Sequence, residues 1–183
     1  MRLFVALPLP PGTLSTLVSW MDGARKGWPR LRWVRPEQVH LTLRFLGGVP
    51  PGTVRTVREI LESRAFHAVP FRISRTGSFG RGQEGLPSVY WLGGEFGGGL
   101  RDLVEALAGV PDGEGRTEDS SRFRAHLTVA RQGRFDGKAM LPAPGPWEGE
   151  MDQVSMIDST LTQSGPEYEV LFSRGLARAG GGD

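Results

Sequence analysis

Cysteine is absent from this 183-residue chain. That excludes disulfides, thiolate nucleophiles and cysteine-based zinc sites, and it fits a reducing compartment. Long apolar runs are also missing. No stretch approaches the roughly 20 apolar residues that a membrane-spanning helix requires. The opening MRLFVALPLPPG has a basic residue and an apolar run, but Pro8 and Pro10 interrupt it and no small-residue cleavage pattern follows, so a buried first strand is expected rather than a signal peptide. A soluble, cytoplasmic protein is the expectation. Charge of one sign is scarce too: the formal net charge is +2, which leaves no polybasic tail or block. Histidine is rare, with three in the whole chain.

Two of those three histidines lie in a tetrad that occurs twice, His40-Leu41-Thr42-Leu43 and His126-Leu127-Thr128-Val129. Each copy has a glycine at the same offset, Gly47 and Gly133. On a strand, residues two apart point to the same side. Each His therefore shares a face with its Thr, while the aliphatic residues between them face a core. A structural duplicate would tend to keep the aliphatic positions and lose the polar ones; here both pairs are kept. Two such strands side by side would set two imidazoles and two hydroxyls around one cleft.

That set suits displacement at phosphorus. Two imidazoles titrate near neutral pH, so one can accept a proton while the other donates one. The threonine hydroxyls can donate to non-bridging oxygens as charge grows there. No metal is required by this scheme. A metal site would want further ligands, yet neither tetrad contains Asp or Glu, and HExxH is absent. G-x-S-x-G and a Walker loop are absent as well, and no cofactor is indicated. Among flanking residues, Arg131 leaves the second strand near the cleft. Arg44 lies on the face of His40 and Thr42 if the strand stays regular, and is a candidate substrate contact. Phe45 would then face the core, unless a bulge turns it out to stack on a base.

Around these motifs the pattern alternates irregularly between strands and helices. Strands are expected at 3–7, 31–34, 39–46, 70–75, 88–92, 123–130, 152–161 and 168–173. Helices follow Pro10-Pro11-Gly12-Thr13, with Thr13 as the N-cap, and Pro50-Pro51-Gly52-Thr53; a third covers Leu100 to Leu107. Segment 111–121 reads as a mobile loop, 77–82 as a glycine-rich loop, 141–149 as a rigid linker and 180–183 as a disordered tail. The two tetrads stand about half a chain apart. With the repeated PPGT they suggest an internal duplication within one α+β domain, 1–183, of mostly antiparallel sheets with helices packed outside.

The paired H-x-T-x motifs, with WVRPEQVHLTLRFLGGV, SVYWLGG, FRAHLTVARQG and the closing DSTLTQSGPEYEVLFSRGLA, resemble the 2H phosphoesterase superfamily. The fuller resemblance is to its RNA 2′,3′-cyclic phosphodiesterase branch, also called 2′-5′ RNA ligase. The resemblance implies a bilobal fold of duplicated antiparallel sheets with pseudo-twofold symmetry and the active cleft between the lobes. It implies metal-independent hydrolysis of an RNA terminal 2′,3′-cyclic phosphate to a 2′-phosphate, with 2′-5′ ligation as the reverse reaction. His40 would be the proton donor and His126 the acceptor; Thr42 and Thr128 would hold the phosphate, and Arg131 matches the arginine after the second motif. The stretch 134–144 departs from the pattern, being short and proline-rich where a helix is expected. The same chemistry on a small cyclic phosphate, such as ADP-ribose 1″,2″-cyclic phosphate, and a non-catalytic RNA-end binder are the alternatives. RNA is the expected partner, and a monomer the simplest assembly.

Overall fold

Apolar residues run unbroken from Leu3 to Leu7 through β1 (Arg2–Pro8), and all of them are buried, so this strand must be covered on both faces. A computed structural model shows how. It describes residues 1–80, 82, 87–133, 140–163 and 165–178. The other strands are β2 (Arg32–Trp33), β3 (His40–Gly48), β4 (Val69–Phe79), β5 (Val89–Phe96), β6 (Leu127–Arg131), β7 (Trp147–Met151), β8 (Gln153–Thr162) and β9 (Gly165–Gly175). They form one antiparallel sheet in the order β7-β4-β5-β6-β3-β1-β8-β9, with β2 paired to β6.

That order has an internal symmetry. Four strands lie on each side of the β3/β6 junction, and each motif strand is the innermost member of its half. The two motif strands meet in the ladder at Leu41 and Leu127, the second residue of each tetrad. The pseudo-twofold expected from the duplicated motif thus passes between identical residues, and the two halves form one continuous sheet.

The helices are α1 (Pro11–Gly27), α2 (Pro51–Glu62) and α3 (Leu100–Ala108). The first two begin on the second proline of PPGT, where a missing N–H costs nothing. Thr13 lies inside α1 rather than capping it; Pro10 is the cap, and the Thr13 hydroxyl donates to the Pro10 carbonyl at 2.9 Å. Leu17 and Met21 of α1, Val57 and Leu61 of α2, and Leu103 and Leu107 of α3 pack with Leu41, Leu43, Leu127 and Val129 in the main core. The helices are interlaced: α1 leaves β1 but packs on β7 of the other half, and α3 leaves β5 but packs on β3. The opposite face of the sheet carries the tetrad polar residues and a small cluster of Phe4, Ala6 and Ile157, with Tyr168 against it.

Three expectations are corrected. Residues 147–151 form the edge strand β7 against β4, where proline-rich flanks suggested linker. Residues 77–79 are the end of β4, and Gly80, at φ +71°, begins the turn. Gly77 is required by packing, because a Cβ there would run into the Trp91 ring. Segment 111–121 is pinned rather than loose. Asp112 accepts from the Glu114 and Arg116 amides, and the Gly113 amide donates to the Leu46 carbonyl at 2.8 Å. Residues 134–139 and the tail 180–183 lie outside the described residues.

Candidate active site

The tetrads share one further feature, a β-bulge at their fourth residue. In β3 the pairing with β1 runs Ala6–Thr42 and then Val5–Arg44, which leaves Leu43 extra. In β6 the pairing with β5 runs Trp91–Thr128 and then Tyr90–Ala130, which leaves Val129 extra. A bulge inserts one residue and flips the alternation beyond it. Leu43 and Arg44 are therefore both buried, as are Val129 and Ala130.

This corrects the expected place of Arg44. Its side chain is 2% exposed and points to the core side of the sheet. There it donates to the carbonyls of Val110 (2.8 Å) and Arg116 (2.9 Å), and pairs with Glu118 at 2.5 Å. It is the pin that holds the loop leading to the second tetrad, and not a wall of the cleft. The same bulge turns Phe45 out. Phe45 is 45% exposed, with the Arg2 guanidinium 5.3 Å from its ring centroid. Arg131 is its counterpart in the second frame, two residues past the bulged Val129 and exposed.

A cleft of ≈ 790 Å³ opens on this face, lined among others by His40, Thr42, Phe45, Thr128 and Arg131. An antiparallel register through Leu41 and Leu127 sets His40 across from Thr128, and Thr42 across from His126. The cleft is cationic: Arg2, Arg32, Arg35 and Arg131 line it, and among the described residues no Asp or Glu does.

The two imidazoles are held alike. His40 Nδ1 lies 2.7 Å from the carbonyl of Gln38, and His126 Nδ1 lies 2.7 Å from the carbonyl of Arg124, each two residues upstream. A carbonyl can only accept, so Nδ1 carries the proton and Nε2 is left for a ligand. Their surroundings differ. His40 stacks on Phe4, with centroids 4.9 Å apart, and meets the edge of Tyr168 at 5.8 Å. Burial among these rings is the main cause that lowers the His40 pKa to about 4; the charges of His126 and Arg131 push the same way, against the Gln38 hydrogen bond. His40 is thus neutral at pH 7 in the free protein. His126 meets the edge of Phe79 at 4.8 Å, and Trp91 stands 6.5 Å away. Burial also raises the Tyr168 hydroxyl, opposed by Arg131, Arg2 and Arg35.

Four contributors were not singled out from the sequence. Gln38 orients His40 through its carbonyl, and its side-chain amide donates to the Pro166 carbonyl at 2.8 Å, fixing the β8–β9 hairpin beside the cleft. Phe4, Tyr168 and Phe79 surround the imidazoles. The same spacing, a carbonyl two residues before each histidine, is a local signal that could have marked Gln38 and Arg124. Tyr168 and Phe79 carry none, since they arrive through strand pairings distant in sequence. Among the described residues no three His, Cys, Asp or Glu side chains gather as a metal site would need.

Comparison with known proteins bears on the family and the fold. The family model described as LigT like Phosphoesterase matches residues 7–87. The RNA 2′,3′-cyclic phosphodiesterase of Thermus thermophilus is 34% identical over 93% of this chain and 88% of its own. The protein of the same name from Geobacillus stearothermophilus is 30% identical over 74% of this chain, but longer, so that the chain spans 43% of it. A crystal structure of a Thermus thermophilus protein superposes with a TM-score of 0.74, covering 98% of this chain and 100% of that one at 30% identity. With a relative this similar aligned along most of both chains, and both tetrads facing one cleft, the chain belongs to the LigT-like phosphoesterase family.

Proposed function

We propose that this protein hydrolyses the terminal 2′,3′-cyclic phosphate of RNA to a 2′-phosphate, using its two histidines as acid and base and no metal ion. The observation that carries the reading is the meeting of the two tetrads at Leu41 and Leu127, which brings His40, Thr42 and Thr128 to one arginine-lined cleft with His126 close enough to act on His40. The relatives named RNA 2′,3′-cyclic phosphodiesterase support it.

In this reading the cyclic phosphate sits between the tetrads. Nε2 of one imidazole takes a proton from water as its oxygen attacks phosphorus. The P–O3′ bond breaks on the opposite side, and O3′ takes a proton from Nε2 of the other. The sum is addition of water across P–O3′. The Thr42 and Thr128 hydroxyls donate to the non-bridging oxygens, and Arg131 offsets their charge; such oriented donors lower the barrier because they are already in place. Attack on the same cyclic phosphate by the 5′-hydroxyl of a second RNA in place of water, with P–O3′ breaking and O3′ protonated as before, would leave a 2′-5′ linkage and so would be ligation.

The family resemblance makes His40 the donor. A neutral His40 must first take up a proton, and the anionic phosphate arriving beside it favours that charge. An activated aryl phosphodiester tests the order, because its leaving oxygen needs no proton. His40→Ala should keep far more of its activity on that substrate than on RNA, while His126→Ala should be equally impaired on both. The reverse pattern would exchange the roles.

The defining experiment is incubation of the protein with a 2′,3′-cyclic-phosphate RNA in excess EDTA, with identification of the terminal phosphate. A 2′-phosphate is expected. A 3′-phosphate would overturn the regiochemistry, and turnover that returns only with added metal would overturn the mechanism.

A further inference from the structure

We propose that Arg32 and Arg35 form a second phosphate subsite, which takes the internucleotide phosphodiester on the 5′ side of the terminal nucleotide. The inference deepens the function proposed above and rests on it: it makes an RNA chain, rather than a mononucleotide or another small cyclic phosphate, the substrate this cleft selects.

The starting observation is a cross-strand pair. Arg32 of β2 lies directly opposite Arg131 of β6. Like charges facing each other across a ladder destabilise a sheet, and among the described residues no carboxylate of the cleft lining relieves them. Arg32 donates from its Nε to the Gln132 carbonyl at 2.9 Å. Among the described residues its terminal nitrogens have no hydrogen-bond partner, and they keep their donors for a ligand. Arg35 lies three residues further along the same cleft wall. Its carboxylate neighbour is Glu37 at 3.7 Å, with both side chains more than 60% exposed. Exposed pairs of that kind contribute little, so an arriving phosphate competes with Glu37 on favourable terms.

The wall that carries these arginines is rigid. Trp33, between them, donates from Nε1 to the Trp28 carbonyl at 3.1 Å, and the Val34 amide donates to the Val129 carbonyl at 2.9 Å. Val129 is the bulged residue of the second tetrad, so the arginine wall is anchored directly to the catalytic strand. Order along the wall follows from the strand pairing. Arg131 is the cleft arginine whose charge acts on His40, and is therefore the arginine of the reacting phosphate. Arg32 lies directly opposite it in the ladder, and Arg35 follows three residues later on the same cleft wall. Guanidinium groups suit this task because their planar fork meets two phosphate oxygens at once. The ≈ 790 Å³ cleft lies towards the upper end of the roughly 300–1,000 Å³ usual for small-ligand sites, which leaves room for a nucleotide beyond the reacting one.

The test compares a dinucleotide ending in a 2′,3′-cyclic phosphate with the corresponding mononucleotide cyclic phosphate. In the unmodified protein kcat/KM should favour the dinucleotide. In Arg32→Ala and, independently, Arg35→Ala, the dinucleotide-to-mononucleotide ratio of kcat/KM should fall about ten-fold, the scale of one charged hydrogen bond to phosphate, and the change should appear in KM rather than kcat. Equal losses on both substrates would overturn the subsite and place the arginine at the reacting phosphate. An unchanged ratio in both variants would overturn it outright. Binding of the 2′-phosphorylated dinucleotide and mononucleotide, measured by calorimetry, keeps the two proposals separable. If the protein turns over neither cyclic phosphate, the proposed function fails, and a dinucleotide preference in binding that Arg32→Ala abolishes still upholds the subsite. Equal affinity for the two ligands would reject it. Circular dichroism of each variant excludes misfolding as the cause.

Discussion

At the scale of single residues, the site depends on two histidines whose orientation is set locally and whose protonation is set by what packs on them. Loss of either imidazole removes an acid or a base, each worth about 10²–10⁴ in rate. His40→Ala and His126→Ala should each lower kcat on cyclic-phosphate RNA by at least the lower figure, with urea midpoints close to that of the parent; a variant retaining near-normal kcat would remove that histidine from the mechanism. The buried setting of His40 also has a signature in stability. Its pKa lies near 4 in the folded protein against 6.5 in an ordinary environment. Between those values the unfolded chain binds a proton that the folded chain refuses. Stability must therefore fall as pH drops from about 6.5 towards 4, and rise with pH through the same window. His40→Gln should flatten that dependence, which denaturant unfolding at pH 7 and pH 4.5 would reveal; an identical pH dependence in the variant would show that His40 is not the group refusing the proton.

At the scale of elements, the matching bulges at Leu43 and Val129 decide which residues reach the cleft. The sequence frame H-L-T-[LV]-x-x-x-G made the histidines, threonines and aliphatic positions readable, because period-two alternation holds as far as the bulge. Beyond it alternation misleads, and Arg44 and Phe45 exchange faces. A hint was present: two adjacent apolar residues, Val129 and Ala130, break the alternation in the second copy. The polar composition of 111–121 suggested mobility, since nothing local shows that a buried arginine from another strand will hold its carbonyls. Arg44→Met tests that role. It leaves the Val110 carbonyl without its Arg44 donor, at about 1–3 kcal/mol for an unsatisfied group, and removes one of two donors to the Arg116 carbonyl, which still accepts from the Asp112 amide. The expected result is a lower urea midpoint and faster hydrogen exchange at the Gly113 and Glu118 amides, whose partners are the Leu46 and Ala108 carbonyls. Unchanged exchange at those amides would mean that the loop holds itself. On the cleft side of the second half, Gly77 and Gly93 leave room for the Trp91 ring; Gly77→Val should displace the ring, visible as a change in tryptophan fluorescence.

At the scale of the whole molecule, the duplicated tetrad announced two related halves, but it could not say how they join. The junction is long-range: β3 and β6 come from distant parts of the chain, and helices from each half pack beneath the other. Leu41 and Leu127 are both fully buried and are the point where the motif strands meet. Each histidine is the neighbour of one of these leucines, so the spacing of acid and base is set by the same contact that closes the sheet. Leu41→Ala and Leu127→Ala should each cost about 2–5 kcal/mol of stability, as large-to-small changes in a core do. Because the two side chains serve one junction, their effects should not add, and a double-mutant cycle should show a coupling of at least ~0.5 kcal/mol. The same variants should lower kcat more than they raise KM, since they leave the arginine wall in place while loosening the register between the imidazoles. Additive stabilities together with an unaltered kcat would mean that the halves are held in register by the interlaced helices instead.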